Sequence, residues 1–243
     1  MALMQYMGGK ERQARYVVEQ LRKHGAGCTR YLEPFIGGVS IFARMAPDFP
    51  GAAAGADVHP DLSLMWAAVI DGWEPPKVVT REEYAALRNA EPSALRGFVG
   101  FGLSFGGKWF GGYASNNRGD DFCGAARRGV LRKAAGMVGQ RVTNADYRTF
   151  NPGAGTLVYC DPPYAGTTGY AGGLFDHDEF WHTVQRWADA GAVVLVSEYA
   201  APQWAESVWA REAVKSLRKD SNTLPATEQI FRIPADAPLP AVA

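Results

Sequence analysis

Short apolar runs alternate with amphipathic stretches along this chain, the rhythm of strands joined by helices. In residues 11–24, Ala14, Val17, Val18 and Leu21 recur among charged positions and predict an amphipathic helix. TRYLE at 29–33 leans to strand and stops at Pro34. Gly37 and Gly38 then lead into an apolar stretch with Ile41, Phe42 and Met45, so strand, glycine turn and helix are expected in that order. Residues 52–57 predict a second strand ending in Asp57. Leu62, Leu64, Met65, Ala68 and Val69 give 61–70 a helical period.

After Gly72 the rhythm breaks. Residues 72–135 hold Pro75 and Pro76, a polar helix around 81–90 and a glycine-aromatic stretch at 97–114. A polar loop follows, with Asn116, Asn117, Arg118, Asp120 and Asp121, and then a basic helix from about Arg127 to Val138. Alternation resumes with strands at 141–146, 156–161 and 192–198. Between the last two, Asp176 and Glu179 read as a capping box before a helix striped by Phe180, Val184, Trp187 and Ala188. The runs 207–214 and 227–233 are expected to pair as a closing hairpin, with a loose tail beyond Pro234. The pattern predicts an α/β catalytic domain of residues 1–71 and 136–243, interrupted by an inserted region at 72–135.

Composition narrows the class. The 243 residues are 47% apolar and 21% charged, which excludes a disordered chain. Twenty-five basic side chains balance 25 acidic ones, which excludes a uniformly basic nucleic-acid coat. The balance is segregated, however. Residues 108–148 carry eight basic side chains against three acidic ones, whereas 157–206 carry Arg186 alone against seven acids. Cys28, Cys123 and Cys160 are odd in number and widely spaced, so neither a disulfide framework nor a zinc site is indicated, and a reducing cytoplasm is expected. MALMQYMGGK lacks the apolar core of a signal peptide. Apolar stretches such as Ala192 to Val196 fall far short of the ~20 residues that span a bilayer, so no membrane association is expected.

Three acids, Glu33, Asp57 and Asp161, each end a predicted strand. Ligands of open parallel sheets bind outside the carboxyl ends of strands, so one cleft is expected. EPFIGGVSIF at 33–42 offers a glycine turn that lets the backbone approach a ligand, although an ordinary turn would read the same way. Asp57 suits a ribose diol, or else it or Asp61 caps the following helix. Asp161-Pro162-Pro163-Tyr164 is sharper. Two prolines stiffen the turn and leave the Pro162 carbonyl without a local partner. That carbonyl and the carboxylate can accept both hydrogens of one amino group, while Tyr164 supplies an aromatic face. Such an arrangement suits an exocyclic amine on a flat heterocycle, whose lone pair it would turn toward an electrophile.

In this order, YMGGK at 6–10, EPFIGGVSIF, Asp57 with Pro60-Asp61-Leu62, NADYRTF at 144–150, DPPY and TEQIF at 227–231 resemble the Dam-type (alpha-group) DNA N6-adenine methyltransferases over most of the chain outside 72–135. Val39 stands where many members have a third glycine, as in a shorter, phage-like variant. SEY at 197–199 replaces a Ser-Asn pair common in the family. The resemblance implies a Rossmann-like methyltransferase fold with a small, mainly helical target-recognition insertion, S-adenosylmethionine as cofactor, and adenine in double-stranded DNA as acceptor. It implies in-line transfer with no covalent intermediate and no metal. Asp161 and the Pro162 carbonyl would hold the amino group beside Pro163, and Tyr164 would stack on a flipped-out base. Tyr6, Lys10, Phe35, Gly37, Gly38, Asp57 and Asp146 would line the cofactor pocket.

In the insertion, Lys108, Asn116, Asn117, Arg118, Arg127 and Arg128 are candidate DNA contacts, each arginine having solvated surface charge as the other reading. Trp109, Phe110 and Tyr113 are expected in the core rather than as DNA wedges. A DPPY-type enzyme for another amine (cytosine N4, RNA adenine, protein glutamine) and a non-catalytic DNA-binding relative are the alternatives. A monomer with no required protein partner is expected.

Overall fold

The computed structural model describes residues 6–164, 175–212 and 227–236. In chain order the elements are α1 (Ala14–His24), β1 (Arg30–Glu33), α2 (Phe42–Met45), β2 (Ala53–Asp57), α3 (Pro60–Ile70), α4 (Arg81–Leu87), α5 (Ala94–Gly97), α6 (Phe122–Ala134), β3 (Arg141–Asn144), β4 (Thr156–Cys160), α7 (His177–Asp189), β5 (Val193–Glu198), β6 (Glu206–Glu212) and β7 (Thr227–Ile233). The α/β class expected from the pattern is borne out, with parallel strands and an antiparallel hairpin at the chain's end. The predicted run 207–214 extends, at 213 and 214, outside the described residues, as does the expected loose tail from 237 on. No helix among the described residues is long and apolar enough to cross a membrane.

The chain forms two compact units. The first comprises residues 1–15 and 34–147, and so includes the whole 72–135 segment. In it β2 and β3 pair in parallel, with Asp57 opposite Asn144. Its core gathers Phe42, Met45, Leu62, Met65, Trp66 and Phe98. The predicted period of α3 needs correcting at one position: Leu64 faces solvent, and Trp66 packs inward in its place. Helix α6 begins five residues before its predicted start, because the Asp121 side chain caps it by accepting from the Gly124 N–H at 2.7 Å. It ends at Ala134, so Val138 lies outside the helix and is exposed. A full capping box occurs at α4, where Thr80 and Glu83 bond each other's backbone N–H. At α7 only half the predicted box forms: Asp176 accepts from the Glu179 N–H, while the Glu179 carboxylate turns to Arg148 at 3.0 Å.

The second unit comprises residues 16–33 and 148–243. Strands β1, β4 and β5 run parallel, β7 pairs antiparallel with β5, and β6 closes on β7. Every residue of β4 is buried, as an apolar run at the centre of a parallel sheet requires. The stripe of α7 is inward as predicted, with Phe180, Val184, Trp187 and Ala188 buried. So is that of α1, with Ala14, Val17, Val18 and Leu21 buried.

Within the first unit, α5 lies directly against α3. Arg96 pairs with the buried Asp61 at 2.7 Å, and a side chain on Gly97 would meet the Asp61 carbonyl oxygen at 2.2 Å. Backbone cannot yield as a flexible side chain does. Gly97→Ala is therefore expected to cost about 1–3 kcal/mol, read as a lower melting temperature. An unchanged melt would contradict this packing.

Candidate active site

The first unit contains every predicted cofactor-pocket residue. After β1 the chain enters the turn Phe35–Ser40, tied to β2 by the Ile36 N–H on the Ala56 carbonyl at 3.0 Å. Gly37 takes the left-handed conformation, φ 46°. Its N–H donates to the Asp57 carboxylate at 3.0 Å, and its carbonyl accepts from the Trp66 indole at 3.0 Å. The Tyr6 ring lies over this turn so closely that a side chain on Gly37 would meet it at 2.8 Å and one on Gly38 at 3.0 Å. Glycine here is needed for space as well as for backbone shape. Val39 is left-handed too, φ 50°, and wholly buried. That conformation strains a β-branched residue, and the turn holds it with the Val39 N–H on the Ile36 carbonyl at 2.7 Å. Phe35 packs on Tyr147, ring centres 5.3 Å apart. Asp146 is half-buried just before Tyr147, and Lys10 is buried in a turn that leads to α1.

Asp57 does not cap α3, whose N-cap is His59 without a side-chain bond. One carboxylate oxygen accepts from Gly37 and the other from the His59 N–H at 2.9 Å. Each oxygen keeps a lone pair for another donor. Burial pushes this carboxyl from its ordinary 3.8 up to about 6, against the two backbone N–H groups that favour its ionised form. Asn144 braces the strand end by donating to the carbonyls of Asp57 and Val58 at 2.8 and 3.0 Å.

The second unit holds the DPPY segment, immediately after β4. Among the described residues, no hydrogen bond ends on the Pro162 carbonyl. Pro163 and Tyr164 are half-buried. The Tyr164 ring stands edge-on to Tyr199, centres 4.6 Å apart at 89°, and its hydroxyl reaches Glu228 at 3.4 Å. Burial and then the charge of Asp161 push the Tyr164 hydroxyl well above its ordinary pKa. Glu33 is buried at the end of β1, where it accepts from the Tyr31 hydroxyl at 2.6 Å. Burial raises its pKa well above the usual carboxylate range; the negative charge of Asp161 adds to this and the Tyr31 bond opposes it. The same burial pushes the Cys160 thiol up, which makes it a poor nucleophile.

Sequence reasoning missed the residues that hold this arrangement. The predicted helical period passes over Trp66, yet its indole fixes the glycine turn. Glu198 and Glu228 are buried around the Tyr164–Tyr199 pair, and Glu198 accepts from the Tyr199 N–H at 2.8 Å. The signal was present in SEY and TEQIF, whose acids stand in otherwise apolar strands.

The predicted DNA contacts fall into two groups. Lys108, Asn116, Asn117, Arg118 and Arg128 are exposed. Asn116 also orders its own loop, donating to Asp120 at 2.6 Å and accepting from the Arg118 N–H at 3.1 Å. Arg127 is engaged internally, on the Pro75 carbonyl at 2.8 Å and on Glu74. Of the aromatics, Phe110 is buried. Trp109 packs on His59 beneath the Arg96 guanidinium, and Tyr113 bonds the Val79 carbonyl at 2.7 Å. The exposed ring is instead Phe105, 77% accessible, beside the left-handed pair Gly106-Gly107 and three residues before Lys108.

Residues 6–94 match the family model of the D12 class N6 adenine-specific DNA methyltransferases. The match agrees, over this part of the chain, with the resemblance read from the sequence. It covers Tyr6, Lys10, the glycine turn and Asp57, whereas DPPY lies beyond it. No curated protein matches the chain. Among solved structures, the chain is similar to yhhF of Escherichia coli at 12% identity, with 93% of this chain and 86% of that chain covered and a TM-score of 0.43. It is similar to the rRNA methyltransferase aviRa of Streptomyces viridochromogenes at 14% identity, with 91% and 84% covered and a TM-score of 0.41. It is also similar to TrmN of Thermus thermophilus at 14%, with 89% and 47% covered and a TM-score of 0.37.

The raised Asp57 carboxyl gives a pH signature with a definite sign. Native Asp57 keeps its proton where the unfolded chain has lost it, so its contribution to stability is present below pH 3.8 and is lost as pH rises to about 6. Denaturant melts of the ligand-free protein between pH 4 and 7 should show the wild type losing up to about 3 kcal/mol relative to Asp57→Asn. Parallel profiles would contradict the half-buried, singly titrating Asp57.

Proposed function

We propose that this protein is a site-specific DNA adenine N6-methyltransferase that uses S-adenosylmethionine. The observation that carries the reading is the DPPY turn, with a Pro162 carbonyl that accepts no hydrogen bond among the described residues and an anchored Tyr164, in a chain that also holds a family-type glycine turn and strand-end acid. The donor fits the residues of the first unit: a turn whose Gly37 and Gly38 lie too close to Tyr6 for a Cβ, and a half-buried carboxylate with two lone pairs to spare for ribose hydroxyls. S-adenosylmethionine supplies an electrophilic methyl group on a sulfonium centre. Asp57 would accept the ribose hydroxyls, and Tyr6 and Phe35 would give aromatic faces to the cationic donor. Lys10 and Asp146 would complete the pocket.

Asp161 and the Pro162 carbonyl would each accept one hydrogen of the adenine amino group, turning its lone pair out of conjugation. Pro163 keeps that turn stiff, and Tyr164 stacks on the base. Positioning is the main contribution, since the transfer needs no covalent enzyme intermediate. The base must leave the duplex for this to happen. Within 72–135, Lys108, Arg118 and Arg128 would meet phosphate, and Asn116 and Asn117 base edges. Arg127 braces α6 on the Pro75 turn. Phe105 takes the wedge role that Trp109, Phe110 and Tyr113, each engaged in internal contacts, cannot.

Labelled methyl transfer from S-adenosylmethionine to plasmid DNA tests the reading. Wild type should label the DNA, and Asp161→Ala should lower the rate by about 10²–10⁴-fold, as for other positioned proton-handling groups. Full activity in that variant would remove Asp161 from the reaction.

A further inference from the structure

Lys133 lies in the last turn of α6, inside a run of basic residues that reads as a solvated surface. It is buried, with 7% of its side chain exposed. A lysine is not buried without specific partners, because the ammonium loses its hydration. Its Nζ donates to the carbonyl of Gly38 at 2.6 Å and to the Ser40 hydroxyl at 3.3 Å, and lies 3.6 Å from the Glu11 carboxylate. Glu11 also pairs with Arg44 of α2, whose guanidinium donates to the Ser40 carbonyl. Three segments remote in sequence thus meet on the backbone of the glycine turn. The end of α6 is seated there by a second contact. A side chain on Gly136 would meet the Ala43 carbonyl at 2.1 Å, so the two backbones touch.

We propose that Lys133 is a positioning residue that clamps the glycine turn from α6, so that affinity for the methyl donor is set in part by a residue of the inserted region. The carbonyl of Gly38 is held on the Lys133 side, and the N–H of Gly37 is held on Asp57. With both ends of the glycine pair fixed, the turn keeps the shape in which the backbone approaches the donor. An apolar side chain of the same length would fill the space and leave the Gly38 carbonyl free to rotate. The inference rests on the methyl-transfer reading.

The test compares wild type with Lys133→Met, using calorimetric binding of S-adenosylhomocysteine and hydrogen exchange of the ligand-free proteins. The clamp predicts about tenfold or greater loss of affinity, as for a charge-assisted bond, and faster exchange at residues 37–40. A lower melting temperature is also expected, since the substitution leaves the Gly38 carbonyl and the Glu11 carboxylate short of a donor, so affinity and exchange decide the clamp. Affinity within twofold of wild type with unchanged exchange would overturn it. A lower melting temperature with unchanged affinity would show a merely structural lysine and overturn it as well. If wild type itself binds no S-adenosylhomocysteine, the proposed function fails, and the exchange comparison alone decides the clamp.

Should Lys133→Met not fold, Glu11→Gln serves. The lysine is surrounded by Glu11, Arg44 and Arg132, and burial already lowers its pKa. Removing its counter-charge should discharge it sooner, so affinity should fall several-fold further at about pH 9 than at pH 7. Equal affinity at both, matching wild type, would overturn the clamp.

Discussion

The hydrogen bond from the Gly37 N–H to the half-buried Asp57 carboxylate is the contact on which the glycine turn of the first unit depends. It joins the turn after β1 to the end of β2, twenty residues on. It fixes Gly37 in a left-handed conformation and leaves Asp57 half-satisfied, with capacity for a ligand. The neighbours follow from it. Tyr6 can close over the turn only because there is no Cβ to meet, and Trp66 and Lys133 each take a carbonyl that the left-handed path exposes. Burial opposes ionisation of Asp57 and the backbone N–H groups favour it, so the carboxyl titrates at about 6 rather than in its ordinary range.

The second unit solves a different electrostatic problem. Glu33, Glu198 and Glu228 are all buried in strands there, and the first feels the charge of Asp161. Burial in low dielectric disfavours the charged form and the Asp161 charge adds to it, so Glu33 is driven toward its neutral form. Tyr31, the Tyr199 N–H and Tyr164 supply the donors that make such burial tolerable. Holding the Tyr164 ring edge-on to Tyr199 limits its freedom. Preorganisation of this kind is what the proposed transfer would require.

Much of this was legible in one sequence because it is local. Strand-end acids, a double proline and a glycine pair declare themselves within a few residues, and the stripes of α1 and α7 follow the helical period. What failed depends on distant contacts. The box at Asp176 is half-made because Arg148 competes for Glu179. Leu64 satisfied the period of α3, yet the larger Trp66 won the interior because its indole finds the Gly37 carbonyl. Arg127 and Lys133 look alike in a basic helix, and only the fold shows one spent on Glu74 and Pro75 and the other buried on Gly38. Phe105 could not be separated from its aromatic neighbours by composition; its exposure comes from the Gly106-Gly107 turn.

The zero net charge of the chain conceals a basic stretch at 108–148 and an acidic one at 157–206. On the proposed reading the basic stretch, rather than the whole chain, would meet the polyanion. The most direct measurement is mass spectrometry of nucleosides from plasmid DNA incubated with the purified protein and S-adenosylmethionine. N6-methyldeoxyadenosine is the expected product. N4-methylcytosine in its place, or unmodified DNA at saturating donor, would contradict adenine methylation.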